Sequence, residues 1–276
     1  MLLMLGSLVF VVFVCKADDP LTKGIDLFQH QQYREAKKVL EQVVAANESN
    51  AASQYYLGRT YLMLCDYDQA ITHLQRAVDL EGHQPDYYYW LGRAYGEKTK
   101  RSGLLKQAGL AKRVRAAFEQ AVTLDPNNVA ARAALGNFYA QAPGFMGGGI
   151  DKATEQAAAL MRLDPLQGEL LQARILEERK KPNATEALYK KLETRYGASP
   201  GAFDLYGQYG KFLLRQGHSG DAISKLKKQL SLEPGDISAY FDLAAAYEAA
   251  GRSREAAAEY QKAAQINPAC KPPKNR

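Results

Sequence analysis

The residues in this 276-residue chain best suited to acid–base or metal chemistry are four histidines, His30, His73, His83 and His218. Their spacing permits neither role: no pair falls where two imidazoles would share one helix face around a metal, and no His-Glu-x-x-His occurs. Gly217-His218-Ser219-Gly220-Asp221 has the outline of a serine-hydrolase elbow. That motif needs glycine two residues after the serine, and Asp221 stands there instead. Gly147-Gly148-Gly149 could turn backbone amides toward a phosphate, because glycine reaches conformations closed to other residues. A phosphate loop, however, closes on Gly-Lys-Ser/Thr, and Ile150-Asp151-Lys152 follows here. With no Cys-x-x-Cys pair and no dinucleotide fingerprint either, the chain is expected to be non-enzymatic, with no metal and no cofactor.

What the sequence does repeat is architecture. Gly24, Gly58 and Gly92 lie 34 residues apart, as do Ala36 and Ala70, Ala222 and Ala256, and Pro234 and Pro268. A period of that length marks a helix–turn–helix unit that buries its apolar face only by stacking on its neighbours. The clearest unit runs from Ala51 to Gln84. Leu57, Gly58 and Tyr61 lie on its first helix, Ala70, Leu74 and Ala77 on its second, at helical spacing. The next opens Tyr88-Tyr89-Trp90-Leu91-Gly92, continues to Tyr95, Phe118 and Ala121, and stops at Leu124-Asp125-Pro126, where the proline forces the preceding residue out of the helical region.

This pattern resembles the tetratricopeptide repeat. About seven units are expected, 17–50, 51–84, 85–128, 129–165, 166–202, 203–236 and 237–270, forming an all-α superhelical solenoid. The last has Tyr240, Leu243, Tyr247, Ala256, Tyr260, Ala263 and Pro268 in the family's places. The fifth is degenerate, with Tyr189, Leu192 and Tyr196-Gly197 fitting but Thr185 replacing the usual alanine. The resemblance implies that the first helices line a concave groove that holds a protein or peptide. Carried over position by position, the groove residues are Tyr55 and Tyr89, with Arg59, Arg93, Asn137, Arg174 and Lys211 as a mostly cationic ladder. Guanidinium and ammonium groups so spaced suit carboxylates on an extended, acidic peptide. Ion pairing along the exposed helix is the competing role for Arg93, four residues before Glu97, and for Arg174, near Glu177 and Glu178.

Two insertions depart from the plain repeat. The third unit is lengthened around a segment holding Lys98, Lys100, Arg101, Lys106, Lys112, Arg113 and Arg115, more positive charge than the net +6 of the chain. That segment is either a basic protrusion for acidic lipid headgroups, nucleic acid or an acidic protein, or a lengthened helix pair with a solvated basic face. A pI of about 9.0 favours nucleic acid, and export argues against it. The fourth unit carries the loop Gln141 to Gly149, read as a shaped connection with Phe145 and Met146 tucked onto the solenoid. Together the insertions resemble those of a group of exported bacterial tetratricopeptide-repeat proteins, which share a Gly-Leu-Ala-Lys stretch (Gly109 to Lys112) and an Ala-Pro-Gly…Gly-Gly loop.

Leu2 to Val14 is an uncharged run too short to span a bilayer and of signal-peptide length. Cleavage after Ala17 is expected, giving an exported protein of the periplasm or cell envelope. Lipidation at Cys15 is the competing reading, opposed by Val14 where a small residue is normally required. After cleavage Cys65 and Cys270 remain. A bridge between them is not expected, because it needs Cα atoms within about 7 Å and the two lie in the second unit and the tail. Cys65 is read as a small residue in the turn between helices. Residues 271–276 are expected to be a disordered tail. No polar capping helix follows Pro268, which leaves self-association at that end as a further reading.

Overall fold

The structure is a computed structural model that describes residues 19–272. The expected signal peptide at residues 1–17, Cys15 with it, and tail residues 273–276 lie outside the described residues.

Among the described residues the chain forms helices in antiparallel pairs, one pair per sequence unit. They are α1 (Pro20–Gln29) with α2 (Tyr33–Ala46), α3 (Ala51–Met63) with α4 (Tyr67–Leu80), α5 (Pro85–Arg101) with α6 (Leu104–Leu124), and α7 (Val129–Gln141) with α8 (Ile150–Leu163). Then follow α9 (Pro165–Glu178) with α10 (Pro182–Tyr196), α11 (Ala202–Arg215) with α12 (Ser219–Leu232), and α13 (Ile237–Ala249) with α14 (Ser253–Ile266). Asn50, Asp66, Asn128, Asp164 and Asp236 cap α3, α4, α7, α9 and α13, each accepting a backbone N–H from the first turn. No helix of the described residues is long and apolar enough to cross a membrane.

The repeating glycine is where the paired helices touch. A Cβ on Gly58 would lie 2.7 Å from Leu74 Cγ and 2.9 Å from the Leu74 backbone nitrogen; one on Gly210 would lie 2.7 Å from Leu226 Cγ. Only glycine lets a leucine of the second helix seat against the first helix's backbone. In the degenerate fifth unit the chain changes size on both sides: Ala173 stands at the glycine position and the fully buried Tyr189 at the leucine position. Thr185, buried in place of alanine, satisfies its hydroxyl by donating to Lys181 O at 2.9 Å.

Five of the inter-helix turns share one geometry. Gln31, Cys65, Lys180, Gly217 and Gly251 each take positive φ, at 60°, 62°, 55°, 81° and 72°. The residue after each donates its N–H back to the helix, as Asp66 does to Tyr61 O at 2.9 Å, closing the left-handed C-terminal motif in which glycine is the unstrained choice. Cys65 is thus a turn residue, as expected.

The expectation for its sulfur is overturned. Cys65 and Cys270 form a disulfide, with Cα atoms 5.2 Å apart, across a sequence separation of 205 residues. Distance along a solenoid equals distance in space only if the stack is straight. Here each pair is rotated on the last until the C-terminal end returns to the second repeat. Asn267 donates to Leu64 O at 3.1 Å and Arg101 to Lys271 O at 3.2 Å across the same seam. The first residue of the expected tail is therefore held, and the α3–α4 turn lies against the residues that follow α14.

The insertions also take definite form. The extra length of the third unit extends α5 and α6 about the Ser102-Gly103 turn, with Leu105 fully exposed at the tip. The fourth-unit loop carries a short 3-10 turn at Gly144–Met146 and folds back so that Gly149 donates to Tyr139 O at 2.8 Å. Phe145, expected to tuck in, is 78% exposed. The loop's inward space is taken by backbone: a Cβ on Gly148 would collide with the Ala142 carbonyl, and one on Gly147 with the Arg115 guanidinium, so the phenyl ring is left outside.

Candidate protein-interaction groove

Each ladder residue follows the small packing residue of a first helix, and the structure gives the five positions different fates. Arg59, on α3, lies over Trp90 at 4.3 Å and Phe28 at 4.5 Å from the ring centroids, with Tyr55 and Tyr56 at 5.1 and 5.3 Å. Its Nη1 donates to the Tyr55 hydroxyl at 3.2 Å. Tyr55 in turn packs on Tyr87 at 4.6 Å, and burial pushes its hydroxyl pKa up. Arg93, exposed on α5, stacks on the same Trp90 at 4.4 Å and reaches Tyr89 at 5.9 Å. The indole is thus shared by two guanidiniums. Among the described residues neither has a carboxylate within ion-pair distance.

Further along, the ladder is neutralised. Asn137 spends its amide on Ala133 O of its own helix at 2.9 Å. Arg174 is only 8% exposed and pairs with Glu177 at 2.8 Å, a carboxylate that Arg215 also holds at 2.5 and 2.9 Å. Lys211 pairs with Asp242 of α13 at 3.5 Å. The charge not answered from within the chain therefore collects at Arg59 and Arg93.

The basic insertion is answered in the same way. Lys98 pairs with Asp68, and Lys100 and Arg101 both pair with Glu97 at 2.7 Å. Burial pushes the Glu97 carboxyl up, but Lys100 and Arg101 outweigh it and hold the group below the usual carboxylate range. Arg101 also stacks on Tyr67 at 4.6 Å, Arg113 lies over Tyr95 at 5.6 Å, and Arg115 approaches Glu119 at 3.7 Å. Lys106 and Lys112 stay exposed. The segment is a solvated basic face on a lengthened helix pair.

Sequence reading missed Trp90, Phe28 and Tyr56 as partners of the ladder, and it missed the carboxylates that quench it. A usable signal was present. In stacked repeats, residues about one period apart become neighbours, and these contacts span 30 residues for Lys98 and Asp68, 32 for Lys225 and Glu193, and 38 for Arg215 and Glu177.

A family model described as the tetratricopeptide repeat matches residues 27–95 and 213–273. The chain carries tetratricopeptide repeats over those stretches and has the tetratricopeptide-repeat fold. Superkiller complex protein 3 of Mus musculus is 25% identical over 237 residues, which is 84% of this chain and 14% of that protein, so the chain spans about a seventh of that relative's length. A tetratricopeptide-repeat protein of Parabacteroides merdae superposes with a TM-score of 0.60 at 14% identity, covering 90% of this chain and 91% of the other. A thermophilic tetratricopeptide-repeat protein of Thermus thermophilus gives 0.55 at 20% identity, covering 71% and 97%. At these identities the solved structures establish the fold alone. The fold is that of a protein–protein interaction scaffold, and the matched stretches hold both Arg59 and Arg93 at one end and α13 and α14 at the other.

Proposed function

We propose that this tetratricopeptide-repeat protein is a non-enzymatic scaffold of the bacterial envelope that holds an extended acidic peptide segment on its concave face. Arg59 and Arg93, both over Trp90, carry the reading: two cations in an aromatic setting, neither with a carboxylate within ion-pair distance among the described residues. A carboxylate from a partner would complete a charge-assisted pair with Arg93, and the surrounding tyrosines supply contact area at low entropic cost. Export is supported by the Leu2 to Val14 run and by the Cys65–Cys270 bridge, since disulfides persist in oxidising compartments.

Arg93 is the residue to change, because it is exposed and its loss leaves the core intact. A fluorescein-labelled hexaglutamate peptide is titrated with the mature chain in low salt and followed by anisotropy. The wild type is expected to bind it, Arg93→Glu about tenfold or more weaker, and both less tightly as salt screens the pairing. Equal affinity of the two proteins, or equal affinity for a hexalysine control, would remove the cationic groove from consideration.

A further inference from the structure

We propose that the Cys65–Cys270 pair is a thiol–disulfide latch that switches the solenoid between a closed ring and an open superhelix. This inference stands on the geometry of the seam and does not depend on the acidic-peptide reading.

Extensive helix packing runs along the stack and not across the seam. Helix pairs that pack extensively are all neighbours or next-neighbours in the chain, from α1 and α2 through to α13 and α14. The apolar cluster at the C-terminal end, built on Phe241, Ala263 and Cys270, is joined by Cys65 of the second repeat. Cavities line the junction beside these buried side chains. One of about 400 Å³ lies between Met63, Cys65 and Arg93 on one side and Ile237, Phe241 and Asn267 on the other. A second, of about 430 Å³, brings Cys65 together with Lys98 and Ala269. The bridge therefore borders open space on two sides, and Cys65 itself is only half-buried. A reductant can reach it, and the hydrogen bonds to Leu64 O and Lys271 O cross the seam beside it.

Closing the latch is an exchange reaction. One cysteine thiolate attacks a sulfur of an incoming small-molecule or protein disulfide and releases one thiol. The second thiolate attacks the mixed disulfide at the cysteine sulfur, forming the S–S bond and releasing the second thiol. Two protons and two electrons leave the cysteines and end on the two released thiols. A dithiol reductant reverses the sequence.

The test uses the mature chain, oxidised and then reduced with a phosphine. Small-angle scattering gives its maximum dimension, far-ultraviolet circular dichroism its helicity, and alkylation with mass mapping the state of each cysteine. The expected result is that Cys65 and Cys270 resist alkylation until reduction, which then enlarges the maximum dimension with helicity unchanged. Cys65→Ser/Cys270→Ser should scatter like the reduced chain with or without reductant. Free alkylation of both cysteines in the oxidised chain would overturn the proposal. So would scattering that is identical in all three forms, because the ring would then hold without its bond. A variant that loses helicity is replaced by Cys270→Ser alone, whose change lies beyond α14, and is judged by the same two readings.

Discussion

Arg59 and Arg93 share one indole yet do different work. Arg59 sits among Phe28, Tyr55, Tyr56 and Trp90, and its Nε is buried without a hydrogen-bond partner. Desolvated cation–π contact is worth about 2 kcal/mol, and the aliphatic stem adds packing that alanine would forfeit. Arg93 touches Trp90 from an exposed position, where such contact is worth only about 0.5–1 kcal/mol. Urea unfolding of the two alanine variants should therefore separate them, with Arg59→Ala losing about 2 kcal/mol or more and Arg93→Ala less than about 1 kcal/mol. Equal losses would mean that the cage around Arg59 is not a stabilising contact. The contrast also explains why a charge reversal at Arg59 is a poor probe of binding: it would bury a carboxylate among four rings.

Between helices, stability turns on where a side chain can be absent. Gly92 and Gly96 lie one turn apart on α5. A Cβ on Gly92 would stand 2.6 Å from the ring of the buried Phe118, whereas one on Gly96 would meet nothing within 4 Å. Gly92→Ala overpacks the α5–α6 contact, at about 1–3 kcal/mol. Gly96→Ala removes backbone freedom from the unfolded chain and gains about 0.5–1 kcal/mol. Opposite shifts of the urea midpoint check this, and shifts of the same sign would show that the period-34 glycine is not a steric requirement here. That glycine was legible in the sequence because its contact lies within one unit: Gly58 meets Leu74, and Gly210 meets Leu226. The helix pairs follow for the same reason. Pairings between units were legible only as a spacing of about one period, not as particular partners. Lys211 with Asp242, Arg215 with Glu177 and Lys98 with Asp68 depend on how one repeat is rotated on the next, and that rotation is set by whole interfaces.

In the whole molecule, those rotations add up to a return, and one covalent bond fixes it. An open solenoid has only nearest-neighbour interfaces, so its stability is a sum along the stack and its ends fray first. A bond between the second and seventh repeats changes that, because neither end of the enclosed stretch can then unfold without straining the closed loop. In the chain-entropy account, a 205-residue loop removes about 5 kcal/mol of freedom from the unfolded state, an upper figure given native strain and residual structure. The helices α1, α2 and α3 all precede Cys65 and lie outside the covalent loop, α1 and α2 farthest from it in sequence. Two consequences can be measured together. Reduction should lower the urea midpoint and broaden the transition as end-to-end coupling is lost. In the oxidised protein, amide exchange should be fastest in α1 and α2 and slow through α13 and α14; after reduction, α13 and α14 should join the fast class. If exchange in α13 and α14 stays slow without the bond, the last repeat is held by its interface with α11 and α12 alone, and the disulfide adds nothing to the stability of the C-terminal end.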